Sequence, residues 1–349
     1  MNRYIRMITL IVTVLIPIIT ATCANHRDRK ETRHPIQVQD TLPQKAQKSI
    51  DYRTYPLAYI TTGGKLVLAD PETKKGITLQ TEPDSVLTCT FAPDNNNKLY
   101  YTSARNNQTT LKCLTVGENT LQTNTITRLP AKTAELSAET YGTPAKMHFL
   151  SGRVLIEYGF SWEAYDFTQY IAVDPATGHT EITDRFAWEG KPKYTVPSPF
   201  KWDRDFRTQY PKLLQKATDI ATQDPKWQKL ISQMTTDESE SGEPEACYAL
   251  LSPNGKKMAF SLLVVFGDYA HGPSFVCNVN GSDLVFIPEL DAANLYRDWC
   301  GSRFLYLNTV EHETPSGDFT YEYQLKATSP HTNKSYLLAP NVVFFAVKH

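Results

Sequence analysis

The chain has 349 residues, with 36 Lys and Arg against 37 Asp and Glu. A near-neutral balance without a basic cluster in the folded part argues against a large nucleic-acid face, because phosphate binding needs grouped Lys and Arg. The length exceeds an average domain but suits one closed all-β unit, and 19 Tyr, 15 Phe and 22 Pro fit strands separated by turns.

At the N-terminus, Arg3 and Arg6 precede an apolar run at 8–19. That run falls short of the ~20 residues of a membrane-spanning helix, so residues 1–22 read as an export signal. Thr20-Ala-Thr-Cys23-Ala24 follows, and two cuts fit it: before Cys23, leaving that cysteine to be lipidated, or after Ala24. The segment resembles a bacterial lipoprotein signal, with Thr20 and Thr22 where Leu and a small residue are usual. The expected location is the cell envelope, lipid-anchored at the periplasm or outer membrane, otherwise periplasmic or secreted. Residues 23–50 are polar, charged and poor in apolar side chains, which reads as a flexible tether ahead of a domain at 51–349.

Within that domain one phrase recurs. Ala92-Pro-Asp-Asn-Asn-Asn-Lys-Leu-Tyr-Tyr101 is echoed by Leu251-Ser-Pro-Asn-Gly-Lys-Lys-Met-Ala-Phe260. Apolar strands ending in polar turns accompany them, at Asp174-Pro-Ala-Thr-Gly178 and Val279-Asn-Gly-Ser282. Strand, tight turn and strand, repeated at roughly 45–60 residues, is the pattern of a β-propeller blade. Counted along the chain, strands at 56–62, 65–70 and 76–80 form a first blade lacking its inner strand. Complete blades follow at 86–129, 146–184, 247–288 and 294–338, and one apolar strand is left over at 342–347. A terminal strand that completes the first blade removes unpaired edges, so the count predicts five blades closed by the C-terminal strand. Six is the alternative, if 186–246 holds a degenerate blade.

That interval reads instead as a two-helix insertion at about 200–245, between blades three and four. Phe206, Tyr210, Leu213, Leu214, Ala217 and Ile220 recur near helical spacing, and Asp224-Pro225 is a cap followed by Pro at the first helical position. The acidic stretch 237–245 reads as a solvated loop. Leu251-Ser-Pro-Asn-Gly-Lys-Lys-Met-Ala-Phe260, with Phe275-Val-Cys-Asn-Val-Asn-Gly-Ser282, resembles the WD40-like repeat of TolB-type periplasmic propellers. That resemblance implies a scaffold and brings no catalytic residue with it. The cysteines after Cys23, at 89, 113, 247, 277 and 300, lack metal-type spacing and read as buried thiols; Cys247 with Cys300 is the pair to test.

In a blade with strands a to d, the a–b and c–d turns leave one end of the ring, and the b–c and d–a connections the other. The long b–c segments, 104–110, 159–169, 265–273 and 311–320, therefore share one face. Candidate ligand-binding residues there are Trp162, Glu163, Tyr165, Asp166, Asp268, Tyr269, His271 and Glu313. Aromatic rings beside carboxylates suit recognition of a sugar or a peptide. Trp162 and Phe167 packed under the insertion is the competing account. No nucleophile elbow, HExxH, phosphate loop or dinucleotide fingerprint occurs, and no cofactor or metal is implied. The expected function is non-enzymatic binding or scaffolding in the cell envelope, with a protein or glycan partner, no nucleic acid, and membrane contact only through the lipid anchor. The alternative is a glycan-cleaving five-bladed hydrolase using paired carboxylates, with Glu163, Asp268 and Glu313 as candidates by position.

Overall fold

The computed structural model describes residues 37–39, 51–79, 84–93, 97–106, 108–129, 140–162, 165–184, 206–236, 245–266, 269–292, 294 and 296–349. The expected signal, Cys23 and most of the tether lie outside them. Among the described residues no helix is long and apolar enough to cross a membrane.

The described residues are predominantly β and form five sheets, each built on four antiparallel strands, with a fifth strand added to the first and to the fourth. The first uses β1 (Gln37–Gln39), β2 (Leu57–Thr61), β3 (Leu66–Asp70) and β4 (Lys75–Thr78). The second uses β5 (Ser85–Phe91), β6 (Lys98–Arg105), β7 (Gln108–Val116) and β8 (Leu121–Arg128). The third uses β9 (Thr140–Leu150), β10 (Arg153–Trp162), β11 (Tyr165–Val173) and β12 (Thr180–Asp184). The fourth uses β13 (Glu245–Leu251), β14 (Lys257–Phe266), β15 (Tyr269–His271), β16 (Pro273–Asn278) and β17 (Val285–Asp291). The fifth uses β18 (Arg297–Cys300), β19 (Arg303–Glu313), β20 (Phe319–Thr328) and β21 (Ser335–Pro340). The last strand, β22 (Val342–Val347), joins the first sheet, whose order is β1-β4-β3-β2-β22. The pairing is antiparallel, with Leu57 opposite Val347 and Tyr59 opposite Phe345. The leftover strand therefore supplies the inner strand that the first group lacked. β1 adds a parallel edge strand outside β4, within the stretch read as tether.

Strands of sheets one, two, four and five are apolar on both faces because those sheets are packed on both sides. Successive side chains of a strand point to opposite faces. Leu57, Tyr59, Val67 and Ala69 thus enter a core shared with Leu305, Leu307 and Leu325 of sheet five. Ala58, Ile60, Leu66 and Leu68 enter the next core, with Leu99 and Tyr101 of sheet two. The opposite face of sheet two gives Tyr100 and Leu111 to a core with Val154, Ile156 and Tyr158 of sheet three. Ala259 and Val276 of sheet four meet Trp299, Phe304 and Tyr306 of sheet five. The packing order is therefore four, five, one, two, three.

Sheet four turns its remaining face to the helices. The sequence predicts one helix over 203–220; Pro211 divides it into α1 (Phe206–Gln209) and α2 (Pro211–Ala221). Proline starts a helix readily because its missing N–H has no partner there anyway. α3 (Pro225–Thr236) begins as expected, with Asp224 Oδ1 accepting from the Lys226 N–H at 3.0 Å. Phe206, Leu213, Leu214, Ala217 and Trp227 pack on Met258, Phe260, Leu262 and Phe275.

The repeated phrases are turn chemistry. In Ser252-Pro-Asn-Gly-Lys-Lys257 the Ser252 hydroxyl oxygen accepts from the Lys257 N–H at 2.9 Å. Asn254 Oδ1 accepts from the Lys256 N–H at 3.0 Å, and Gly255 sits at φ +65°. The Val279 N–H then donates to the Lys256 carbonyl at 3.0 Å, as Val116 does to Asn97 at 2.6 Å in sheet two. The sequence carries a second phrase three times: Asp70-Pro-Glu-Thr-Lys74, Asp174-Pro-Ala-Thr-Gly178 and Ser329-Pro-His-Thr-Asn333. In each, the first side chain accepts from the N–H two residues on, at 2.8, 2.8 and 3.4 Å. The fifth residue takes a positive φ, of 54°, 72° and 55°, which Gly and Asn tolerate best. Cys89, Cys113, Cys277 and Cys300 are free and buried, so the Cys247–Cys300 disulfide is not formed.

Candidate functional site

Backbone hydrogen bonds define two ends of the sheets. At one end, second-to-third strand connections bond to the segments that enter or leave a sheet. Val86 N–H donates to the Gly64 carbonyl (2.8 Å), Leu129 to Thr109 (2.9 Å), Ala292 to Gly272 (2.7 Å) and Thr62 to Asn341 (2.7 Å). At the other end the remaining turns bond to one another, as at Val116 and Val279.

The elaborated connections lie at the first end, but they are hairpins rather than loops. β6 and β7 stay paired out to Arg105 opposite Gln108. β10 and β11 pair out to Trp162 opposite Tyr165. Beyond its pairing with β16, β14 continues against β15 to Phe266 opposite Tyr269. β19 and β20 pair out to Glu313 opposite Phe319. The sequence predicts loops at 104–110, 159–169, 265–273 and 311–320, which carry no continuous apolar face. Where a hairpin runs past its flanking strands, as β14–β15 and β19–β20 do, it has no core to face and so needs none.

The sequence-predicted residues fall on three of these hairpins. Trp162 and Tyr165 are cross-strand partners at one tip, with Asp166 opposite Ser161. Tyr269 and His271 lie on β15, opposite Phe266 and Val264. Glu313 is exposed at the end of β19. Glu163 and Asp268 lie outside the described residues. The structure thus joins Trp162 with Tyr165, and Glu313 with Phe319, each pair within its own hairpin.

His271 has a partner the sequence did not single out. Its Nδ1 lies 3.0 Å from Asp291 Oδ2, so Nδ1 carries the proton that Asp291 accepts. The other Asp291 oxygen accepts from the Gly272 N–H at 3.1 Å. The hydrogen bond to Asp291 raises the imidazole pKa, while burial and the Lys226 ammonium of α3 oppose it. Beside this hairpin Arg297, 5% exposed, donates to Ser261 Oγ at 2.8 Å and lies 3.4 Å from Ser274 Oγ. Ser261 and Ser274 are cross-strand partners with hydroxyls 2.7 Å apart. A buried guanidinium is tolerated only where hydrogen bonds satisfy it. This one, from the first strand of sheet five, reaches into sheet four and locks the two sheets. Asp291 was legible only as the polar end of an apolar strand, and Arg297 as a charge inside one.

A raised imidazole pKa sets a pH dependence. The charged form is favoured in the folded state, so the stabilisation is complete below the ordinary value of ~6.5 and fades as pH rises through the elevated one. His271→Asn, which does not titrate, should melt below wild type at pH 5.5 and approach it at pH 8.5. His349, paired with Asp298 at 2.9 Å, titrates alike in both proteins and cancels in the difference. A melting-temperature gap that stays constant from pH 5.5 to 8.5 counts against the His271–Asp291 pair.

No family model matches the sequence, and no curated protein does. Among solved structures, TolB from Acinetobacter baumannii matches at 16% identity over 83% of this chain and 54% of that one, with a TM-score of 0.29. An oligogalacturonate lyase from Vibrio parahaemolyticus matches at 9% identity over 82% of this chain and 80% of that one, with a TM-score of 0.33. The catalytic domain of a GH62 α-L-arabinofuranosidase from Coprinopsis cinerea matches at 8% identity over 75% and 70%, with a TM-score of 0.23. The chain spans about half the length of the TolB structure. The fold rests on this chain's own strand pairing, not on these likenesses.

Proposed function

We propose that the chain is a five-bladed β-propeller, closed by β22, that works without catalysis by holding a protein or a glycan of the cell envelope on its hairpin-bearing end. The observation that carries this reading is that four hairpins turn at that one end, two of which, β14–β15 and β19–β20, run past their flanking strands. Binding residues concentrate where chain extends from a rigid scaffold. Ring closure is supported by three contacts. β22 pairs with β2. The Lys146 ammonium of β9 lies 5.2 Å from the Tyr296 ring centroid. Tyr296 in turn meets Phe344 of β22 edge-on, at 6.2 Å. Sheet three thus comes close to the entry of sheet five although two sheets lie between them in the packing order, which supports a curved, ring-like arrangement. The basic start, the apolar run at 8–19 and Cys23 support export and anchoring in the envelope.

The test is capture of envelope proteins and glycans by the purified domain. Replacing Trp162 and Tyr269 together by Ala should weaken capture by ~1–3 kcal/mol with little change in melting, as exposed aromatic anchors do. A sharp fall in melting instead makes them core residues, and unchanged capture removes this end as the binding face. Release of new sugar ends from envelope glycan by the wild-type domain, lost with Glu313→Gln, is the result that favours the hydrolase.

A further inference from the structure

Among the described residues, the β19–β20 ribbon runs farthest past its flanking strands. β18 pairs with β19 only over 303–306, and β21 pairs with β20 only over 324–328. Beyond that, β19 and β20 continue as two strands, with Thr309 opposite Tyr323, Glu311 opposite Tyr321 and Glu313 opposite Phe319. Both outer edges of this stretch are unpaired among the described strands, and an unpaired edge is a template for another strand.

Cross-strand partners share a face, and alternate residues along a strand return to it. One face of the ribbon therefore carries Thr309, Glu311 and Glu313 beside Tyr323, Tyr321 and Phe319. Its outer rings stand in water: Phe319 is 53% exposed and Tyr321 is 46% exposed. Each of those rings has a carboxylate as its cross-strand partner. Residues 309–323 hold four acids, Glu311, Glu313, Asp318 and Glu322, and no Lys or Arg. The opposite face is self-satisfied, with His312 Nε2 at 3.5 Å from Glu322 Oε2.

A ring beside a carboxylate is a receptor for a cation, which gains attraction from the ring's π face and from the charge together. Two such rungs stand two residues apart, ~6.8 Å along an antiparallel strand. Alternate side chains of any extended peptide have the same spacing. We propose that this ribbon binds an extended basic segment of a partner protein, added as a third strand, with Lys or Arg at every second position seated on the Glu311–Tyr321 and Glu313–Phe319 rungs. The backbone edge supplies affinity and the rungs supply selectivity, as in strand addition generally. This inference rests on the reading of the hairpin end as a binding face and names its partner chemistry.

The experiment measures binding of the purified domain to three fluorescent probes by anisotropy: an eight-residue peptide alternating Arg and Thr, the same residues with the four Arg in one block, and a neutral oligosaccharide. The alternating peptide should bind best, and Glu311→Gln with Glu313→Gln should weaken it by about tenfold or more, as should Phe319→Ser with Tyr321→Ser. Both variants change exposed residues of the ribbon, and unchanged melting confirms that they fold. Equal binding of the block peptide reduces the effect to unspecific charge attraction and overturns the proposal. So does binding that survives Phe319→Ser with Tyr321→Ser, or preference for the oligosaccharide. If envelope capture is lost with Trp162 and Tyr269 but untouched by the ribbon variants, the hairpin end still binds and only the ribbon inference falls.

Discussion

Removal of residues 341–349 is expected to abolish cooperative unfolding and to send the protein into aggregates. β22 is the inner strand of the first sheet, and its side chains serve two cores at once. Val342, Phe345 and Val347 enter the core shared with sheet five. Phe344 enters the core shared with sheet two. Deletion opens both and leaves the β2 edge bare, which invites pairing with other chains. The single substitution Phe345→Ala isolates the packing part, and should cost about 3–5 kcal/mol. That is a large share of the ~5–15 kcal/mol by which folded domains are stable. Heating followed by circular dichroism, with light scattering in parallel, measures both variants. A truncated protein that melts like the full chain would falsify closure of the first sheet by its last strand.

How much of this was legible follows from what the hydrophobic pattern encodes. Leu57-Ala-Tyr-Ile60 and Val342-Val-Phe-Phe345 are continuously apolar because both faces of each strand are buried, and such runs are easy to read as strands. Strand parity was legible too, because turn residues such as Asn254-Gly255 mark where direction reverses. The hairpin ends were not. Tyr321-Glu-Tyr323 alternates and reads as the start of a strand, yet Glu311-His-Glu313 opposite it is polar throughout, so 311–320 reads as a loop. The His271–Asp291 pair joins residues of two strands whose register no sequence period specifies. Pro211 was visible, but helical spacing on both sides of it conceals the break.

Trp227→Ala is expected to cost about 3–5 kcal/mol and to loosen the whole insertion. The indole is fully buried between α3 and the face of sheet four that carries Met258, Phe260 and Phe275. Among the described residues no core cluster joins that face to sheet three, so the helices stand where a neighbouring sheet would otherwise pack. The insertion is thus core as well as decoration. Trp227→Phe should cost only about 1–2 kcal/mol, since a ring stays in the slot and the indole N–H has no acceptor to lose. Excising 206–236 should do far more harm than either, because Phe260 and Phe275 lose their cover. Loss of binding after such an excision therefore reports unfolding of sheet four before it reports a missing contact. Point changes on the helix surface, at exposed Lys226 or Lys229, are the variants that ask whether α3 touches a partner. Denaturant unfolding of Trp227→Ala and Trp227→Phe checks the packing. Equal midpoints for both variants and wild type would show that the insertion carries none of the stability of sheet four.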